Sequence, residues 1–139
     1  MKSRKAVLVL ASWPLIAAFS PSLSAAERMR GGMWEVTTTE GGKSQVNTHC
    51  VTPDQARGSN GTEQEVRAGL ETGAASLHCT LQDFALKGDT ISYTYACPSR
   101  STTSSTTYHG DTYESVVTSK ASTGSHTRQI KGRRLSDCP

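Results

Sequence analysis

The sequence predicts an all-β domain with a small α insertion. We expect about seven antiparallel strands in a meander, forming a curved or barrel-like sheet held by two disulfides. Three observations predict it. Short apolar/polar alternations recur along the chain, separated by Gly-containing turns. Gly-Asp-Thr occurs at 88–90 and again at 110–112, an interval that fits two strands and their turns. Four cysteines lie in the β-rich part of the chain, two of them bracketing one hairpin.

The first 26 residues read as a segment to be removed. Lys2, Arg4 and Lys5 precede an apolar run from Ala6 to Phe19, and Ser24-Ala25-Ala26 supplies small residues at a cleavage position. This is a secretory leader (1–26), too short to span a bilayer as a helix. The single β-rich domain is then 27–139, in an oxidising compartment. No cysteine precedes Cys50, so the expectation is a soluble periplasmic protein without a lipid anchor or membrane span.

Charge narrows the partners. Three of the 15 basic residues lie in the leader and all 12 acidic ones follow it, so the net +3 belongs to the leader and residues 27–139 are balanced. A neutral domain has no field to gather phosphates, which argues against nucleic acid. The basic end (Arg128, Lys131, Arg133, Arg134) reads as a solvated strand face. Asn60-Gly61-Thr62 matches a glycosylation sequon, but Asn-Gly belongs in a turn and the leader looks bacterial.

Leu, Ile, Val and Phe number only 14 in residues 27–139. So small an apolar core is marginal alone, and the four cysteines are the compensation. Gly88-Asp89 forms a two-residue hairpin loop. Pairing outward puts Leu86 opposite Ile91 and Phe84 opposite Tyr93. The apolar phase then slips by one at Gln82-Asp83, which predicts a β-bulge. Beyond it Leu81 faces Tyr95 and Cys79 faces Cys97, giving a cross-strand disulfide. Elimination leaves Cys50–Cys138, closing a long loop. The chain-entropy model gives such a bond roughly 4–5 kcal/mol.

Along the rest of the chain, Met33–Thr39 reads as strand one with Trp34, Val36 and Thr38 on one face. Gly41-Gly42 is a turn, and Ser44–Val51 is strand two with Val46 and Cys50 on one side. Thr52-Pro53-Asp54-Gln55 and Thr62-Glu63-Gln64-Glu65 are capping boxes, so a short helical segment is expected near 53–70, with Glu63 and Arg67 at helical-pair spacing. From Leu77 onward everything reads as β. Ser99–Thr107 is taken as a polar strand, Tyr108 should face Tyr113, and a turn at Ser122–Ser125 should place Val117 opposite Ile130.

Three motifs resemble an uncharacterised group, domain-of-unknown-function family 3617. Gly32-Met33-Trp34-Glu35-Val36-Thr37-Thr38 resembles its opening signature. His49-Cys50-Val51-Thr52-Pro53 resembles its Cys-Val-Thr-Pro element. Gly132-Arg133-Arg134-Leu135-Ser136-Asp137-Cys138-Pro139 resembles its closing segment. Arg134 replaces a usual aromatic, Ser136 a usual Gly, and the first hairpin is shorter than is typical. The resemblance implies an exported bacterial protein and carries no catalytic residues.

Chemistry is sparse. Metal is weighed at His49-Cys50 and His78-Cys79, but adjacent strand residues point to opposite faces, and zinc spacings are missing. Glu35 with Asp83 or Asp111 could pair as acid and base, though spacing gives no support. No nucleophile elbow or phosphate loop is recognisable. The expectation is therefore no catalytic residue, no cofactor and no metal. Trp34 is a core anchor, with an exposed recognition aromatic as the alternative. The reading is a non-catalytic protein-binding or envelope accessory module. Its alternatives are a calycin-like carrier of a small apolar ligand, which the thin apolar content disfavours, and an enzyme with no recognisable motif.

Overall fold

A computed structural model describes residues 27–139; the expected leader, 1–26, lies outside the described residues. The strands are β1 (Gly32–Glu40), β2 (Lys43–Val51), β3 (Thr80–Lys87), β4 (Thr90–Ala96), β5 (Arg100–Tyr108), β6 (Thr112–Ala121) and β7 (Gly124–Ser136). They form one antiparallel sheet in the order β2-β1-β7-β6-β5-β4-β3. The sheet is curved and does not close, leaving β2 and β3 as its edges. It departs from a plain meander at one place: the last strand docks against the first, Glu35 opposite Arg133.

Local chemistry fixes the turns. Gly41 and Gly42 both have positive φ (56° and 77°), as a two-residue turn matched to strand twist requires, and β1 and β2 pair without interruption from Glu40↔Lys43 to Gly32↔Val51. The Gly88-Asp89 loop joins Lys87↔Thr90, and Leu86 faces Ile91. The register shifts between Gln82 and Ala85, so Asp83 and Phe84 together stand against Tyr93, with Asp83 in the left-handed region at φ 50°. Leu81 faces Tyr95 beyond this bulge. The Ser/Thr-rich segment is strand β5, and Tyr108 faces Tyr113.

Two expectations are corrected. Val117 lies opposite Arg128 and Ile130 opposite Ser115, because the chain reverses in two residues, Ser122-Thr123, with Gly124 at φ 136°. A displacement of two residues keeps every side chain on its expected face. The second correction is the helix end. After α1 (Pro53–Ala56) and a 3₁₀ turn at Arg57–Ser59, α2 runs Glu63–Ser76, six residues past Leu70. Both capping boxes form, at Thr52/Gln55 and Thr62/Glu65. The helix stops in a Schellman arrangement: His78 N–H donates to the Ala75 carbonyl and Cys79 N–H to the Ala74 carbonyl. His78 takes the left-handed position (φ 57°) that glycine usually fills, so the stop has no glycine to announce it.

The helical segment runs from one sheet edge to the other over the face bearing Trp34. Trp34, Val51 and Ala56 form one buried cluster with Met29, Val36 and Tyr113 against it. Val66, Ala74, Cys79 and Ile91 are the other buried apolar residues. Tyr95 donates its hydroxyl to the Leu70 carbonyl (3.0 Å), and Arg67, instead of pairing with Glu63, lies over the Phe84 ring at 4.6 Å. The opposite face is polar: Thr90–Thr107, Thr94–Thr103 and Thr118–Thr127 join hydroxyls across strands. Val46 and Cys50 share that outer face, where Val46 is 57% exposed.

Candidate functional site

Trp34 is held by two neighbours. Its indole N–H donates to the Arg30 carbonyl (3.0 Å), and its ring lies 5.5 Å from Tyr113, tilted by 40°. Tyr113 packs where a side chain at Gly132 would otherwise sit, since a Cβ there would collide with its ring. Trp34 is 0% exposed. The exposed-aromatic alternative is therefore corrected: this ring face is spent on the core and has none left for a partner.

The cysteines pair as Cys50–Cys138 and Cys79–Cys97. The first ties edge strand β2 to the chain end beyond β7, and the second closes the base of the β3–β4 hairpin. Both sulfurs of the His-Cys couples are thereby oxidised. His49 lies exposed on β2, and His78 ends α2. Among the described residues no group of three or more His, Cys, Asp or Glu is placed to share a cation.

The weighed carboxylates are held separately. Glu35 pairs with Arg133 (2.9 Å), and Asp111 with Arg30. The Arg30 guanidinium, chiefly by hydrogen bonding and then by its charge, holds the Asp111 carboxyl below its ordinary range. That is opposite to the shift a general acid needs. Asp83 sits in the β3 bulge. The outer face carries a groove of about 480 Å³ lined by Glu35, His109, Glu114, Lys131 and Arg133 with threonines between them. Lys131 pairs with Glu114 at 3.1 Å, so the groove alternates in sign and has no net attraction for one charge.

Two residues whose structural roles the sequence does not announce, Arg28 and Asn60, organise the inner face. Arg28, in the segment before β1, is only 6% exposed. Its guanidinium donates to the carbonyls of Ser59 (3.2 Å), Gly61 (3.1 Å) and Gly88 (3.4 Å). Asn60 meets the same segment: its Oδ1 accepts from the N–H groups of Arg28 (2.7 Å) and Met29 (2.9 Å), and its Nδ2 donates to the Met29 carbonyl (2.8 Å). The sequon asparagine is thus a surrogate strand residue. Only its place beside Gly61 could have signalled that role.

The most available feature is an edge. The two sheet edges differ. β3 is interrupted by its bulge, carries Asp83 and Lys87, and neighbours α2. β2 is regular over nine residues, and every residue from Lys43 to Cys50 is exposed. It has no bulge and no proline, and its one charged residue, Lys43, stands beside the turn, so the run from Ser44 to Cys50 carries no charged side chain.

Fold and edge together define a class: a disulfide-tied open β-sheet with one bulged edge and one regular, exposed edge. The chain belongs to the family described as protein of unknown function (DUF3617), whose model matches residues 29–138. No curated protein and no solved structure matches it. The three motifs take structural parts. Gly32 has φ 145° and lies against Arg134, which donates Nε to the Gly31 carbonyl (2.8 Å) and pairs with Asp137. The Cys50–Pro53 element supplies a disulfide and a helix cap. The closing segment supplies the β7 end and the partner cysteine.

Proposed function

We propose that this is an exported, periplasmic, non-catalytic module that binds another protein by strand addition along β2. The observation that carries this reading is the regular, exposed β2 edge, beside a second edge that a bulge interrupts. A terminal strand presents unpaired N–H and C=O groups, and an extended segment that pairs with them gains main-chain hydrogen bonds. Export is supported by the leader pattern in residues 1–26 and by two disulfides, which persist in oxidising compartments. Among the described residues no helix is long and apolar enough to cross a membrane. The non-catalytic reading is supported by carboxylates neutralised pairwise by arginine.

The test is photo-crosslinking in the living cell. A photoreactive residue at Thr48, on β2, should give discrete protein adducts in the envelope fraction. The same group at Thr103, on the outer face of β5, should give none. Adducts from Thr103 alone would refute the edge as the binding surface.

A further inference from the structure

We infer that the partner on β2 is a second copy of this chain, paired antiparallel about Asn47 so that the two sheets join edge to edge; this rests on the edge-recognition reading above. The β1–β2 ladder decides which groups are free. In a two-residue hairpin the closing pair, here Glu40↔Lys43, is hydrogen-bonded, and bonded and non-bonded pairs then alternate. Lys43, Gln45, Asn47 and His49 therefore direct their amides to β1. Ser44, Val46, Thr48 and Cys50 direct theirs outward, and β2 has no strand beyond it.

A two-fold register centred on Asn47 sets Ser44 opposite Cys50 and Val46 opposite Thr48. All four outward residues of each copy then meet outward residues of the other. The side chains agree. Val46, the one exposed large aliphatic on β2, comes beside Thr48 and diagonal to its own symmetry mate. Asn47 meets Asn47, Gln45 meets His49, and Lys43 meets Val51, so no like charges oppose one another. Residues 27–139 also carry equal numbers of acidic and basic groups, so two copies approach without net repulsion. Pairing of one strand buries less than a standard interface, so the association is weak and concentration-dependent.

The register gives a sharp test. Two Asn47 positions form a non-hydrogen-bonded pair with Cα atoms about 4.5 Å apart, within reach of a disulfide. Asn47→Cys, treated with a copper–phenanthroline catalyst in air, should give a covalent dimer on a non-reducing gel. Gln45→Cys should not, because its two copies lie about 13 Å apart along the strands. The unaltered protein should sediment progressively faster as its concentration rises, and Val46→Lys should remove that shift while leaving the melting temperature unchanged. Equal linking at both positions, or at neither, with a single monomer species up to about 1 mM, overturns the inference. Crosslinking at Thr48 in the cell separates the two claims. An adduct of twice the chain mass supports the pairing. Adducts only to other proteins overturn it and leave the edge reading standing. No adduct overturns both.

Discussion

Trp34 and Arg28 show how a chain with few large apolar groups obtains a core. Trp34 supplies the largest fully buried side chain, and its N–H is satisfied by the Arg30 carbonyl, so burial leaves no polar group unpaired. Trp34→Ala should cost about 3–5 kcal/mol in urea unfolding; a change below about 1 kcal/mol would place the core elsewhere. Arg28 ties the segment before β1, the helical connection and the β3–β4 loop through carbonyls distant in sequence. Arg28→Ala should lose roughly 3 kcal/mol by the same assay. The sequence made Trp34 legible because its alternation with Val36 and Thr38 marks an inward face. Arg28 was illegible, because its partners are 31 to 60 residues away and no local pattern encodes them.

At the scale of elements, legibility follows how many independent signals meet. The β3–β4 hairpin was readable to its bulge because aliphatic phase, a glycine loop and two cysteines agreed. The β6–β7 register was not, since Ser and Thr flank its turn on both sides and two positions for the reversal look alike. The end of α2 was missed because His78 stands where glycine normally stops a helix. His78→Gly should raise the melting temperature by relieving the left-handed cost of a side chain there; a fall in melting temperature would contradict the assignment. The start of α2 rests on its capping box, and Thr62→Ala should cost about 1 kcal/mol. Thr62 also holds the Glu65 carboxyl below its ordinary range, through its backbone N–H first and its hydroxyl second. A carboxyl lowered in the folded state contributes stability above its unfolded pKa and loses it as pH falls through the folded value. Thr62→Ala keeps the N–H and removes the hydroxyl, so it should weaken the acid dependence of unfolding only in part.

For the whole molecule, the order β2-β1-β7-β6-β5-β4-β3 would be an unbroken meander if the chain ends were joined. Cys50–Cys138 supplies a covalent tie near that point, reaching past β1 to the edge. Reduction should therefore unfold the protein or bring it close to unfolding, given a chain-entropy contribution of roughly 4–5 kcal/mol for the longer loop alone. Alkali should act on the same core. Burial pushes the Tyr95, Tyr108 and Tyr113 phenols above their ordinary value. A raised folded pKa gives stability that is present below the unfolded pKa of about 10 and is lost as pH climbs from there through the folded values. Melting temperature should hold through neutrality and drop above that range. The edge β2, the helical crossover and the two bridges then describe one object: a small core kept folded by covalent ties, with one strand left open for pairing.

Peptide mapping without reductant, on protein taken from the extracytoplasmic fraction of living cells, tests the account most directly. Cys50 linked to Cys138 and Cys79 linked to Cys97, in a chain that begins at Glu27, is the expected result. Four free thiols, or a chain still carrying residues 1–26 in the cytoplasm, would contradict it.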